Sequence, residues 1–318
     1  MKMSKTAKYL VFTFSTAWVL QVIASILAEK LDGLTGLYAF RGVLAVAMFM
    51  TLAGAAIANG GLKGMGWIPR LRDGKIKTYL LAWLLPPAVT LLGAVLYYAI
   101  FPSQMGTPGA YYQQLNAQYG LDLTEKLSEQ GIDLNTYIVI QIASMFPAAF
   151  LNAIVAVGEE TGWRGFLNPL LKARFGRGKG LLLGGIIWGV WHFPVMLLAG
   201  YEYGTEYFGA PFLGMIVFCI STVSLGIIAD YTYEKTGSIW APALYHGSVN
   251  AFGSLAMAVM SPDYEKYVIL GPLPVGLIAM IPTVIAAVLL YRKGRKEAES
   301  WDSLRPSKRS PILRGVKS

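Results

Sequence analysis

Eight stretches of this chain carry no Asp, Glu, Lys or Arg: 9–28, 42–62, 78–121, 134–158, 180–201, 207–229, 236–262 and 267–291. Each is long enough for an α-helix to cross about 30 Å of hydrocarbon at about 1.5 Å per residue. The third exceeds one crossing. Its apolar part is 79–101, and 102–121 reads as a polar loop rich in Gln and Tyr. The pattern predicts an all-α polytopic membrane protein, a bundle of about eight transmembrane helices. Run length and the lack of period-two alternation exclude a β-barrel. The first run reads as a span rather than a cleaved leader, because it exceeds a usual h-region and seven more runs follow.

The distribution of charge orients the bundle. All but four of the 27 Lys and Arg residues fall at the N-terminus, in the loops after the second, fourth and sixth runs, or in the tail after the eighth. Lys30, Arg41, Lys126 and Lys266 are the exceptions. Positive charge marks cytoplasmic loops, so both termini are expected in the cytoplasm of a multi-pass cell-membrane protein. Composition agrees. Charged residues make up 14% and mean hydropathy is +0.49, against about 25% charged residues in soluble domains. The net charge of +9 is accounted for by this asymmetry and by anionic lipid, without a nucleic-acid partner. No repeat or linker divides the chain. We read 1–292 as one membrane domain and 293–318 as a basic cytoplasmic tail.

Polar groups inside the runs carry the chemistry, since ionisable groups in a bilayer are costly. Glu159 and Glu160 close the fourth run, His192 lies in the fifth, and His246 and Asn250 lie in the seventh. His192 and His246 are the two histidines of the chain, and Cys219 is its one cysteine, which reads as a core residue. By helical rise His192 sits about 18 Å deep and His246 about 15 Å deep, at similar levels. Glu160 and Arg164, four apart, share a helix face and can pair, which leaves Glu159 about 100° round the helix without that partner. Trp188 and His192 share a face, as do His246 and Asn250.

Two chemistries fit. A carboxylate in an apolar site could take a proton from water while an imidazole holds that water, with His246 and Asn250 stabilising an oxyanion. Alternatively Glu159, His192 and His246 could hold Zn²⁺ or another divalent metal. No H-E-x-x-H helix and no G-x-S-x-G elbow is present. No cofactor is otherwise indicated.

The residues Glu159-Glu160-Thr161-Gly162-Trp163-Arg164 match an E-E-x-x-x-R motif. Trp188-x-x-x-His192 and His246-x-x-x-Asn250 follow on later spans, with Trp-Ala-Pro-Ala (240–243) ahead of the last. In order and spacing this set resembles the CAAX-protease and bacteriocin-processing family of intramembrane proteases, the Ras-converting-enzyme type. The resemblance covers about 134–260, the expected catalytic core, with Trp188 in place of the more usual Phe.

The resemblance implies an eight-helix endopeptidase acting on a membrane-associated protein or peptide, of prenylated CAAX or leader-peptide type, that enters from lipid or cytoplasm. Glu159 would be the general base and His192 would position water. His246 and Asn250 would stabilise the oxyanion, while Glu160 and Arg164 would organise the site. A metal requirement stays open within the family. The rival is a non-catalytic transporter or bacteriocin self-immunity protein. Pro86-Pro87, Pro242, Pro272, Pro274 and Pro282 could break helices as transport requires, but they do not pair across two halves of the chain.

Overall fold

The computed structural model describes residues 3–304; the last part of the basic tail, 305–318, lies outside them. The described residues form an all-helical bundle. In chain order the helices are α1 Lys5–Lys30, α2 Gly33–Asn59, α3 Ile76–Ile100, α4 Ala110–Gln118, α5 Leu123–Glu129 and α6 Leu134–Glu160. They continue as α7 Asn168–Phe175, α8 Arg177–Trp191, α9 Phe193–Ala199, α10 Phe212–Thr236, α11 Trp240–Phe252 and α12 Ile281–Leu304. A π-helical turn, Thr161–Leu167, joins α6 to α7.

Helix ends follow local chemistry. Ser4 caps α1 through the Ala7 amide at 3.2 Å. Asp133 caps α6 by accepting from the Asn135 and Thr136 amides, both at 3.0 Å. Such caps satisfy amide groups that have no partner inside the helix. Gly237 ends α10 in the left-handed region at φ 64°, a conformation glycine adopts without steric cost.

Among the described residues, six helical segments are long and apolar enough to cross a membrane: Lys5–Lys30, Gly33–Asn59, Ile76–Ile100, Leu134–Phe175, Arg177–Ala199 and Phe212–Thr236. They cover the first six expected spans, and the chain is a multi-pass membrane protein. The last two runs take another form. The seventh holds the 13-residue α11 and then a short 3₁₀ turn, Leu255–Val259. The eighth is irregular until α12 begins at Ile281. Glycines and prolines at 271, 272, 274 and 276 account for this irregular stretch, because they disfavour a continuous helix. The expected polar loop at 102–121 contains α4 and is followed by α5. Pro86 and Pro87 sit inside an unbroken α3.

The bundle packs on small residues. α11 lies against α6, where a Cβ on Gly247 would collide with the Ala149 carbonyl. Close backbone approach of this kind drives helix association where lipid removes the hydrophobic contrast. α2 is fixed to α6 by Thr51, whose hydroxyl donates to the Gly158 carbonyl at 2.8 Å. Outward positions such as Leu151 (68% exposed) and Ile216 (61%) are apolar, as lipid contact requires. At one end of the bundle Lys172 on α7 pairs with Asp230 at 2.6 Å and Glu234 at 2.9 Å, both on α10. Arg177 at the start of α8 joins Glu234 at 2.5 Å.

Candidate active site

The two glutamates end α6, immediately before the helix widens into the π-turn. Such turns insert an extra residue per turn and often mark functional positions. Glu159 is 2% exposed and Glu160 fully buried. They face different partners. Glu159 Oε2 accepts the indole N–H of Trp163 at 3.0 Å and that of Trp188 at 2.7 Å. Glu160 Oε1 accepts from the Arg164 guanidinium at 3.1 Å and meets His246 Nδ1 at 2.8 Å. The expected i,i+4 pair of Glu160 and Arg164 is therefore present. Glu159, expected to lack a partner, takes two neutral donors instead. Trp163 as its i+4 partner was readable from spacing, but the sequence analysis did not single it out.

Arg164 is 1% exposed. Its guanidinium carbon lies 4.4 Å from the Trp188 ring centroid, a cation–π contact inside the bundle. Trp188 thus serves both charges, donating at its edge to Glu159 and stacking its face under Arg164.

His192 sits where α8 stops and α9 starts. Its Nδ1 is 2.9 Å from the Trp188 carbonyl. A carbonyl only accepts, so Nδ1 carries the proton and Nε2 is left as an acceptor. The ring is walled by Trp191 (centroids 4.7 Å apart), Phe218 (5.0 Å) and Tyr201, stacked at 6.1 Å and 11°. His246 Nδ1 is engaged by Glu160, so its Nε2 is likewise the free ring nitrogen. A cavity of about 100 Å³ is bordered by Glu159, Trp188, His192, Tyr201, His246 and Asn250, enough for several waters. Asn250, one turn beyond His246, is the exposed member of the set. The structure brings Glu159, His192, His246 and Asn250 to one cavity and places Glu160 and Arg164 behind it.

Glu159, His192 and His246 are the residues that would hold a metal ion if the site were metal-dependent, and all three border the same cavity. Glu159 Oε2 already accepts two hydrogen bonds. Among the described residues no three His, Cys, Asp or Glu side chains gather closely enough to hold an ion.

Sequence reasoning also passed over Gln21, Tyr201 and Glu202, which border the same cavity. The signal for Gln21 was a lone amide within an apolar run.

A polytopic helical bundle thus gathers paired glutamates, two histidines and an asparagine around one cavity, the residue set whose motifs resemble those of intramembrane proteases. Residues 141–252 match the family described as Type II CAAX prenyl endopeptidase Rce1-like. Over that segment the chain is similar to the Rce1-like family, the resemblance its motifs carried. It is also 27% identical over 248 residues to CAAX prenyl protease 2 of Methanococcus maripaludis, across 76% of this chain and 81% of that relative.

Proposed function

We propose that this chain is an intramembrane endopeptidase that cleaves a membrane-associated CAAX-type substrate, with water activated by Glu159 rather than by a metal ion. The observation that carries this reading is the Glu159 carboxylate, fixed by two indole donors at the edge of a cavity shared with both histidines. The two donors hold one oxygen and fix the carboxylate plane, while the other oxygen is left to take a proton. A water held by Glu159 and by the acceptor Nε2 of His192 attacks the peptide carbonyl carbon as its proton passes to Glu159. The carbonyl oxygen gains the charge. Asn250 supplies an amide N–H to it, and doubly protonated His246 supplies Nε2–H while Nδ1–H stays on Glu160. Collapse of the tetrahedral species breaks the C–N bond, and Glu159 returns the proton to the departing amine.

The excess of Lys and Arg supports cytoplasmic termini in the cell membrane, with substrate entering from lipid or from the cytoplasmic side.

The test is cleavage of a farnesylated CAAX peptide by the purified chain in lipid bilayers. Glu159→Ala should lower kcat by about 10²–10⁴, and Asn250→Ala by about 10²–10³. His192→Ala should also abolish most turnover, while the unprenylated peptide should be a poorer substrate. Retained turnover in Glu159→Ala refutes the general-base role. Chelator inhibition reversed by added Zn²⁺ would overturn the metal-free chemistry.

A further inference from the structure

The break that carries His192 is closed by a side chain from elsewhere in the chain. In a continuous α-helix the Val195 amide would donate to the Trp191 carbonyl. Here the chain turns at His192, whose own amide reaches back to Gly189 at 3.0 Å, while Met196 N–H donates to the His192 carbonyl at 3.1 Å. Pro194 contributes no amide hydrogen. Gln21 of α1 takes both ends left over. Its Nε2 donates to the Trp191 carbonyl at 2.8 Å, and its Oε1 accepts from the Val195 amide at 3.3 Å. These partners fix the amide orientation, because a carbonyl only accepts and an N–H only donates.

Trp18, one turn earlier, adds its indole N–H to the same carbonyl at 3.2 Å. Gln21 is fully buried and borders the cavity, yet it lies outside the segment 141–252 that matches the family. An amide buried in lipid-embedded helices stays only where both its donor and its acceptor are used.

We propose that Gln21 is a positioning residue for the endopeptidase site, its amide standing in the α8–α9 break and fixing the backbone turn that aims His192 Nε2 into the cavity. The role rests on the reading of that cavity as the protease site. It differs from simple anchoring of α1, because the two bonds meet the residues on either side of the catalytic imidazole. A small displacement of a water-positioning ring lowers turnover more than substrate binding.

Two variants test this. Gln21→Met fills the space but makes neither bond; it should lower kcat about 10- to 100-fold with KM within about twofold. Gln21→Glu mimics the amide only while its carboxyl is protonated, offering one donor and one acceptor; as a carboxylate it opposes the Trp191 carbonyl. Its kcat relative to wild type, measured pH by pH, should therefore exceed that of Gln21→Met near pH 6 and fall toward it by pH 9. A ratio flat in pH, or wild-type kcat in Gln21→Met, overturns the proposal, since a general loss of packing would not follow that proton.

Hydrogen exchange of the peptide spanning 190–198 needs no turnover and should quicken in Gln21→Met. Unchanged exchange also overturns the proposal. If wild type cleaves no peptide while exchange quickens as expected, the endopeptidase reading fails and the structural role of Gln21 stands.

Discussion

Trp188 donates its indole N–H to Glu159 at 2.7 Å across 29 residues of chain, and the same ring lies 4.4 Å from the Arg164 guanidinium carbon. One side chain thereby joins the helix of the proposed base to the helix that leads into His192, the imidazole proposed to position water. It does so with a neutral donor, which fixes the carboxylate without neutralising it. Glu160 does the opposite, spending its charge on Arg164 and His246. Two adjacent carboxylates in one buried place thus have separate roles, set by what each one touches.

The first prediction concerns the indole pair. Trp188→Phe keeps the ring beneath Arg164 and removes one donor from Glu159, while Trp163→Phe removes the other. Hydrogen bonds to charged groups contribute about 1.5–3 kcal/mol each. Either single change should lower kcat about tenfold, because one donor still holds the carboxylate. The double variant should lose more than the product of the two, since Glu159 is then left without a fixed plane. Steady-state cleavage in bilayers measures this, and strictly multiplicative losses would show that the two donors act independently.

A second prediction follows from the buried ion pair. Glu160→Gln leaves the Arg164 charge, 1% exposed, without its countercharge. Removing one partner of a buried pair costs about 3–5 kcal/mol, so the apparent Tm in detergent should fall sharply. Adding Arg164→Met to Glu160→Gln should recover part of that loss, since no unpaired cation then remains. A double variant less stable than Glu160→Gln would contradict the account.

The third concerns pH. Glu202, in the loop between α9 and α10, has φ 72° and borders the cavity. Burial raises its carboxyl to about 7, with a hydrogen bond from Tyr201 opposing the shift. The folded state then holds this proton more tightly than the unfolded chain, whose carboxyl titrates near 4.5. Stability from this group is greatest below about pH 4.5, declines as pH rises to about 7, and is level above. The side chain is partly exposed, so solvent screening reduces the effect. Glu202→Gln should flatten the dependence of Tm on pH between 4.5 and 7 and stand above wild type at pH 8. Parallel curves for the two proteins would refute it.

The sequence by itself determined the membrane class and the identity of the polar set. Charge-free runs of crossing length leave a chain no other place to bury so much apolar surface, and ionisable groups within such runs are few enough to be picked out singly. It also determined the contacts that act within one helix. Glu160 meets Arg164 because four residues bring side chains onto one face, whatever the rest of the fold does.

Tertiary structure alone decided the remainder. Run length marked 236–262 and 267–291 as spans, but composition averages cannot register that glycine and proline divide them into the short α11 and an irregular approach to α12. Spacing placed Glu159 off the face of Arg164 and onto that of Trp163; its second donor, Trp188, comes from another helix, and nothing in the order of residues fixes which rings meet across a bundle. Gln21 makes the same point from the other end of the chain. A lone amide among apolar residues is visible in sequence, but its bonds to Trp191 and Val195 exist only because α1 packs against the break at His192. Local periodicity determines which face a residue occupies; packing between helices determines what that face touches.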